Sequence, residues 1–199
     1  MFIPKHFIGQ GDAYAFIAAN SFGQLIGAVD GVLSCTHLPL LPSAELPHTE
    51  GGCLIGHVAR ANPQAQWPDG QPVMCVFAGP HGYVSPSWYE QSGVPTWNYE
   101  AAHVQGHLRW EDDAEVAQSI LSQLTAFYEA AEASPWLPDY PVSMLRGIRA
   151  FRIEITGVEF KQKLSQNRSR TDREAVIDAV RVRGNAALAD AMSQCLPDA

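Results

Sequence analysis

Four short stretches of this sequence contain most of the residues that could do chemistry. In the first, residues 56–63, Arg60 follows an apolar run and Asn62 precedes a proline. A guanidinium beside free backbone N–H groups at the start of a helix is a combination that binds a phosphate monoester. Arg60 is also the only arginine before Arg109 in an acidic part of the chain. The alternative is an ordinary ion pair between Arg60 and a surface carboxylate.

Histidines in apolar, strand-like segments form the second group. His37 lies in residues 35–39 and His57 in residues 56–63. Most histidines in such positions are hydrogen-bonded core residues, and the alternative is a polar contact with a ligand ring from a strand that lines a cavity. His103 and His107 are four residues apart, but on a predicted strand rather than a helix, so their spacing does not favour a metal site.

The third stretch, residues 96–99, ends an aromatic segment over residues 79–99 that contains two of the five tryptophans and three of the six tyrosines. Trp97 offers a stacking surface, and Asn98 offers a donor and an acceptor for the edge of a heterocycle. Packing in a protein core is the alternative interpretation. The segment has one carboxylate and no lysine or arginine, so we expect a flat ligand to lie against it.

The fourth stretch, residues 163–168, places five hydrogen-bonding side chains within six positions at the end of a predicted strand. They are Lys163, Ser165, Gln166, Asn167 and Arg168. A ligand or interface contact and a solvated strand end are both consistent with this pattern. Together the four stretches supply cations for a phosphate, rings for stacking and amides for a ring edge. Neither a carboxylate pair for hydrolysis nor a Ser-His-Asp arrangement is present, so we predict binding of a phosphorylated heteroaromatic and name no catalytic residue.

The elements that must position these residues are mostly strands. Alternating patterns and turn residues predict strands over residues 22–29, 32–41, 53–59, 72–78, 81–85, 97–110 and 150–164. Asp30-Gly31 predicts a two-residue hairpin turn between the first two strands. Helical spacing predicts helices over residues 12–20 and 114–133, with one or two surface helices from about residue 171. We therefore predict a mainly β fold, an antiparallel β-barrel with flanking helices at its rim.

Charge is distributed unevenly along the 199 residues. The net charge is −8, yet ten of the thirteen lysines and arginines lie between Arg146 and Arg183. The last third is therefore the only candidate anion surface, while the acidic remainder argues against DNA binding by the whole protein. Four isolated cysteines indicate buried free thiols. No apolar run of membrane-spanning length and no secretory pattern at the N-terminus are found, so we expect a cytoplasmic protein without a membrane partner.

At these residues the chain resembles the PaiB family, the FMN-binding negative transcriptional regulators. The resemblance is carried by residues 1–4 with Phe7 and by residues 36–40, 56–63, 79–89, 94–99 and 163–167. It implies the FMN-binding split barrel, shared with pyridoxamine-phosphate oxidases and haem-binding relatives, as a homodimer with the flavin at the subunit interface. The implied organisation is a split-barrel domain over residues 1–168 and a C-terminal helical extension over residues 169–199.

The resemblance also implies roles for individual residues. Arg60 and Asn62 would reach the FMN phosphate, and His37 and His57 would line the flavin. The site would be closed, from the second subunit, by Trp97, Asn98, Lys163, Ser165 and Gln166. Direct DNA binding has no support from a helix-turn-helix or from the net charge. A flavin-dependent oxidoreductase acting on a small molecule and a haem-binding relative are the alternative functions.

Overall fold

The computed structural model describes residues 1–43, 51–138 and 142–196, and within them the chain forms seven strands and five α-helices. The strands are β1 (Phe22–Val29), β2 (Val32–Pro39), β3 (Leu41–Ser43), β4 (Cys53–Ala59), β5 (Pro72–Val84), β6 (Thr96–Glu111) and β7 (Ile148–Lys163). The helices are α1 (Ala13–Ala19), α2 (Ala114–Glu129), α3 (Val142–Leu145), α4 (Arg170–Val182) and α5 (Ala186–Gln194). Short 3-10 helices span Lys5–Phe7, Pro63–Gln66 and Pro86–Trp88.

The strands form one sheet in the order β2-β1-β5-β6-β7-β4-β3. The pairs β1–β2, β1–β5, β3–β4 and β4–β7 are antiparallel. At the β1–β2 hairpin, Asp30 and Gly31 have φ values of 51° and 76°, the two positive angles that this type of turn requires. The mainly β fold and the hairpin predicted from the sequence are thus confirmed.

The chain divides into two compact units. The first, which we call the sheet unit, comprises Ile17–Phe77 and His103–Val158. The second, which we call the tail unit, comprises Met1–Phe16, Ala78–Ala102 and Glu159–Ala199. Strands β5, β6 and β7 each contribute residues to both units.

One hydrophobic cluster of the sheet unit lies where α2 packs against strands β3, β4 and β7. Its buried residues are Leu41, Cys53, Ile55, Ala117, Ile120, Leu124 and Ala150. Helix α2 begins at Asp113, whose carboxylate accepts hydrogen bonds from the backbone N–H groups of Glu115 (2.8 Å) and Val116 (3.2 Å). This N-cap satisfies two of the free N–H groups of the first turn. The apolar face of α2 is thereby fixed against the strand that leads to Arg60.

The core of the tail unit is built by the C-terminal helices against the ends of β5 and β7. Its buried residues are Val84, Leu164, Val176, Ile177, Val180, Leu188, Ala189 and Met192. Between α4 and α5, Gly184 has a φ of 81°. The N–H groups of Gly184 and Asn185 donate to the carbonyls of Arg181 (2.9 Å) and Val180 (3.2 Å), which is the Schellman arrangement that ends a helix. The sequence predicts one or two surface helices here; two are present, and their inner faces form a core.

Two strand predictions differ from the structure. The predicted strands over residues 72–78 and 81–85 are one strand, β5, because Gly79 serves close packing rather than a turn. A Cβ at Gly79 would lie 2.6 Å from the Phe16 ring. The predicted strand over residues 32–41 is divided, with β2 ending at Pro39 and β3 beginning at Leu41. The domain boundary after residue 168 stays a prediction.

Candidate functional site

Arg60 lies immediately after β4 and keeps most of its guanidinium free. Its backbone N–H donates to the Gly147 carbonyl (2.9 Å), and its Nε donates to the Arg146 carbonyl (3.1 Å). Among the described residues this is the only hydrogen bond of the Arg60 guanidinium, and the residue is exposed. The two terminal nitrogens are therefore available as a planar pair of donors, the geometry that phosphate and carboxylate oxygens accept.

Asn62 has a different part in this turn. Its Oδ1 accepts from the Gln64 N–H (2.9 Å) and caps the 3-10 helix Pro63–Gln66, while its Nδ2 donates to Thr36 Oγ1 on β2 (3.0 Å). Both ends of the amide are thus used within the chain. The arrangement fixes the turn that carries Arg60, so the contacts of Asn62 support a positioning role.

A cavity of about 220 Å³ adjoins Arg60, and its charges are largely compensated. Arg146, Glu111 and Asp112 also line it. Asp112 receives two hydrogen bonds from Arg149 (3.0 and 2.9 Å), and this pairing holds the pKa of the Asp112 carboxyl below its usual range. Glu111 forms a salt bridge with Arg152. Because the hydrogen bonds and the salt bridge of these carboxylates go to Arg149 and Arg152, neither is paired with the Arg60 guanidinium, although the charge of Arg60 also contributes to the lowered pKa of Asp112.

The two predicted histidines lie in different environments. His37 on β2 is exposed, and its Nε2 is 3.0 Å from Gln24 Nε2. His57 on β4 is half-buried, and its Nδ1 is buried with no hydrogen-bond partner among the described residues. Burial lowers the pKa of His57 below its ordinary value of 6.5. A buried ring nitrogen without a partner is costly, which is consistent with a group that a ligand completes.

The protonation of His57 leads to a first prediction. Because burial keeps His57 neutral in the folded chain while the unfolded chain takes up a proton below about pH 6.5, the lowered pKa costs stability as the pH falls below that value. We expect the slope in urea unfolding to reach at most about 1.4 kcal/mol per pH unit. In His57→Gln this part of the slope between about pH 5 and pH 7 is expected to vanish. An unchanged slope in that variant would assign the pH dependence to other groups.

A groove of about 420 Å³ lies on the sheet unit and has no charged side chain in its lining. It is lined by Ile26, Gly27, Ala28, Leu33, Pro72, Val73, Met74, Gln105, Gly106, His107 and Thr156. A Cβ at Gly106 would lie 2.4 Å from the Glu154 carbonyl oxygen, so glycine is required there by close approach of the neighbouring strand. Apolar side chains at this end of the β1–β2 hairpin are exposed, namely Val32 (67%) and Leu33 (74%).

In the tail unit, Trp97 and Lys163 lie in direct contact. Lys163 Nζ donates to the Trp97 carbonyl (2.7 Å) and to Thr96 Oγ1 (2.5 Å). Burial, followed by repulsion from Lys161, lowers the pKa of Lys163. The Trp97 indole is 48% exposed and its Nε1 donates to His81 Nδ1 (3.3 Å), with the two rings stacked 6.0 Å apart. The Trp97 indole is therefore exposed and is held in place by His81, while the Lys163 amine lies at the main-chain carbonyl of Trp97.

Asn98 and Ser165 form a buried pair behind Trp97. Asn98 is fully buried, and its Nδ2 donates to Ser165 Oγ (2.9 Å) and approaches Met192 Sδ on α5 (3.4 Å). The Asn98 Oδ1 is buried without a partner among the described residues. Ser165 has a φ of 67°, a left-handed conformation that is uncommon outside glycine. The strained turn after β7 and the C-terminal helix together hold Asn98 in place.

Gln166 closes the same turn rather than pointing to open space. Its Oε1 accepts from the Leu164 N–H (2.7 Å), and its Nε2 donates to the Gln162 carbonyl (2.7 Å). The structure thus brings Trp97, Asn98, Lys163 and Ser165 together, with Gln166 next to them in the chain. Arg60 and Asn62 form a second group, in which Asn62 binds Thr36, the neighbour of His37. His57 lies three residues before Arg60 on β4.

Several residues that support these groups were not predicted from the sequence. Thr36, His81 and Met192 each bind a predicted residue. His81 lies inside the aromatic segment, and Thr36 precedes His37, so proximity in the sequence was a signal for both. No signal connects Met192 with Asn98, because 94 residues separate them. Within the described residues, no group of three histidine, cysteine, aspartate or glutamate side chains could hold a metal ion. All four cysteines have free thiols; Cys53 and Cys75 are buried as predicted, whereas Cys35 is exposed and Cys195 is partly buried.

Comparison with known proteins identifies similar sequences over nearly the whole chain. Residues 1–157 match the protein family described as "Putative FMN-binding domain". The chain is 35% identical to the Protease synthase and sporulation protein PAI 2 of Bacillus subtilis, over 93% of this chain and 91% of that protein. The C-terminal helices lie outside the family match.

Two solved structures share the fold at low sequence identity. The FAD and haem binding protein of Mycobacterium smegmatis aligns with a TM-score of 0.62 at 13% identity, over 84% of this chain and 78% of that one. The flavocytochrome Anf3 of Azotobacter vinelandii aligns with a TM-score of 0.59 at 12% identity, over 74% of this chain and 64% of that one. None of the helices in the described part of the chain is long and apolar enough to cross a membrane.

Proposed function

Because this chain belongs to the PaiB family of FMN-binding split-barrel proteins, we propose that it binds FMN between two copies of itself and acts in regulation or redox sensing. FMN, or a close flavin, is the cofactor of the family, and it supplies electron transfer when it is bound. In the proposed complex, one copy provides the phosphate contacts and the other closes the site over the flavin ring.

The residues of the sheet unit fit the phosphate end of FMN. Arg60 has two unengaged terminal nitrogens, and Asn62 fixes the turn that carries it. A phosphate accepts paired donors of this kind. His57 contributes a buried nitrogen without a partner, and His37 is exposed on β2. These four residues are therefore assigned to one copy of the chain.

The residues of the tail unit fit a flat, electron-accepting ring. Trp97 offers an exposed aromatic ring, and the Lys163 cation lies at the main-chain carbonyl of Trp97. A cation near a ring that accepts electrons stabilises the negative charge that develops on it. Three further residues, Asn98, Ser165 and Gln166, form hydrogen bonds within the tail unit. Their assigned role is to fix the positions of Trp97 and Lys163, which contact the flavin bound to the other copy.

The observation that carries the two-copy proposal is the exposed apolar end of the β1–β2 hairpin, at Val32 and Leu33. β2 ends the sheet order, and these two side chains are 67% and 74% exposed. An edge strand with apolar side chains and unpaired backbone groups is a typical pairing surface. The uncharged groove that includes Leu33 adjoins this end of the hairpin. A second copy that covers it would bury these side chains, which is the usual source of dimer stability.

Leu33→Lys tests this interface. A lysine amine in the centre of an apolar contact is expected to weaken self-association by at least about tenfold, since burying an unpaired charge costs more than the lost leucine contact. FMN uptake is expected to fall with it. Sedimentation velocity over a range of protein concentrations measures the dissociation constant of the dimer.

Val182→Lys is the matched control, because Val182 is an equally exposed aliphatic side chain (85%) on α4. This variant is expected to associate like the unaltered protein. A Leu33→Lys variant that associates as strongly as Val182→Lys would exclude β2 from the interface.

The regulatory role is proposed to be indirect. Cations in the C-terminal third have partners within the tail unit: Arg168 lies over Tyr89 (4.2 Å), Arg170 pairs with Glu174, and Arg181 pairs with Asp190. Engaged cations contribute less to a phosphate-binding surface than free ones. A protein of net charge −8 with such a tail is better suited to a flavin-linked signal than to direct operator recognition.

A further inference from the structure

A cleft of about 230 Å³ in the tail unit contains none of the residues assigned to FMN, although its Tyr83 meets the Trp97 ring edge to face, with centroids 6.4 Å apart. We call it the Trp88 cleft. It is lined by Gly82, Tyr83, Trp88, Val180, Arg183, Asn185 and Leu188. Its lining has two aromatic rings, apolar side chains, one amide and one cation, with no carboxylate. The cleft is smaller than a typical site for a drug-sized molecule, so it suits a ligand with a single ring.

The rings and the apolar floor of the cleft are fixed by the surrounding core. Val180 and Leu188 are buried members of the tail-unit core. Tyr83 and Trp88 meet edge to face, with centroids 6.5 Å apart and an angle of 75°. The Arg183 guanidinium lies over one face of Trp88, so the Tyr83 ring supplies the stacking surface for a third aromatic ring. Tyr83 is also 48% exposed, so part of this stacking surface is accessible from solvent.

The cation of the cleft is Arg183, and its position is fixed from two sides. Its guanidinium carbon lies 4.4 Å above the Trp88 ring. The Schellman turn at Gly184 places Arg183 at the end of α4, and Asn185 Nδ2 donates to the His81 carbonyl (2.9 Å). Arg183 forms no salt bridge with any described residue, whereas the neighbouring Arg181 pairs with Asp190 (2.9 Å). The Arg183 guanidinium donates from Nη1 to the Ala179 carbonyl (3.3 Å), and its Nε and Nη2 have no hydrogen-bond partner among the described residues, so its charge has no carboxylate partner there.

We propose that the Trp88 cleft binds a small aromatic carboxylate, with its ring against Tyr83 and Trp88 and its carboxylate on Arg183. Stacking supplies the apolar contact, and the guanidinium supplies paired donors for the two carboxylate oxygens. The absence of an acid in the lining favours an anion over a cation. The site does not depend on the assignment of FMN, since Arg60 and Lys163 are not part of it.

Benzoate is the probe for this site. Isothermal titration of the full chain, with FMN present, is expected to give saturable binding of benzoate and much weaker binding of benzyl alcohol, which lacks the charge. Arg183→Gln is expected to weaken benzoate binding by about tenfold or more, because a charge-assisted hydrogen bond is lost. Tyr83→Leu is expected to weaken it by about 2- to 10-fold through lost stacking. Arg181→Gln removes the same charge two residues away and is expected to leave the affinity unchanged.

Arg183 could instead serve only to hold Trp88, and the same titrations separate the two roles. If Arg183→Gln lowers the melting temperature but binds benzoate like the unaltered protein, the proposal is wrong. Equal losses in Arg183→Gln and Arg181→Gln would also overturn it, because the effect would then be one of net charge. Arg183→Lys keeps the cation without the planar fork, and its expected affinity lies between those of the unaltered protein and Arg183→Gln.

Discussion

Replacing Arg60 with alanine is expected to weaken FMN binding by about 10- to 100-fold, because hydrogen bonds to a charged group contribute about 1.5–3 kcal/mol. Riboflavin has the same ring without the phosphate, so its affinity is expected to change by less than about threefold. Quenching of flavin fluorescence on titration with protein measures both constants. The variant separates the phosphate contact from every contact with the ring.

The control for Arg60→Ala is Arg181→Ala. Arg181 is exposed and paired with Asp190, so its loss changes the net charge without touching the assigned site. The Arg181→Ala variant is expected to bind FMN and riboflavin like the unaltered protein. Equal losses for FMN and riboflavin in Arg60→Ala would remove the phosphate role from this residue and point to a change in the turn after β4.

Ending the chain after Arg168 is expected to prevent stable folding and flavin uptake. The deletion removes α4 and α5, which cover the fully buried Val84 and Leu164. Exposing two such side chains costs about 3–6 kcal/mol, a large part of the roughly 5–15 kcal/mol that stabilises a typical domain. The deletion also takes Met192 away from Asn98. Urea unfolding and FMN titration of the shortened chain measure both effects.

Two point variants test the contribution of the C-terminal helices to stability within the full chain. Leu188→Ala, at a fully buried position of α5, is expected to cost about 2–5 kcal/mol. Val182→Ala, at a position that is 85% exposed, is expected to stay within about 0.5 kcal/mol. A shortened chain with unaltered stability and FMN affinity would establish residues 1–168 as a self-sufficient domain, with the last helices as a dispensable extension.

Much of the sheet could be predicted because its signals are local. The Asp30-Gly31 turn and the β4 run before Arg60 fix their own conformations through turn chemistry and apolar patterning. Helix α2 was expected from its acidic start and helical spacing, although it ends at Glu129 rather than near residue 133. Long strands such as β5 are harder to predict. Whether the strand ends or continues at Gly79 depends on how closely Phe16, from a distant part of the sequence, packs against it.

The candidate site was predictable by residue type more than by role. Arg60 was identified by its position after a strand, and its unengaged nitrogens agree with an anion contact. Asn62 has the same type of position, yet its amide caps a 3-10 helix. Asn98 was expected beside a ring edge and is buried against Ser165 and Met192. Hydrogen bonds between residues far apart in the sequence decide such roles, and no local pattern reports them.

The central claim is that two copies of this chain share bound FMN, and sedimentation velocity followed at the visible absorbance of flavin tests it most directly. After addition of FMN to the purified protein, the flavin absorbance is expected to sediment with a species of twice the 21.7 kDa chain mass. Flavin that stays with free ligand, or that sediments with a single chain, would contradict the proposal.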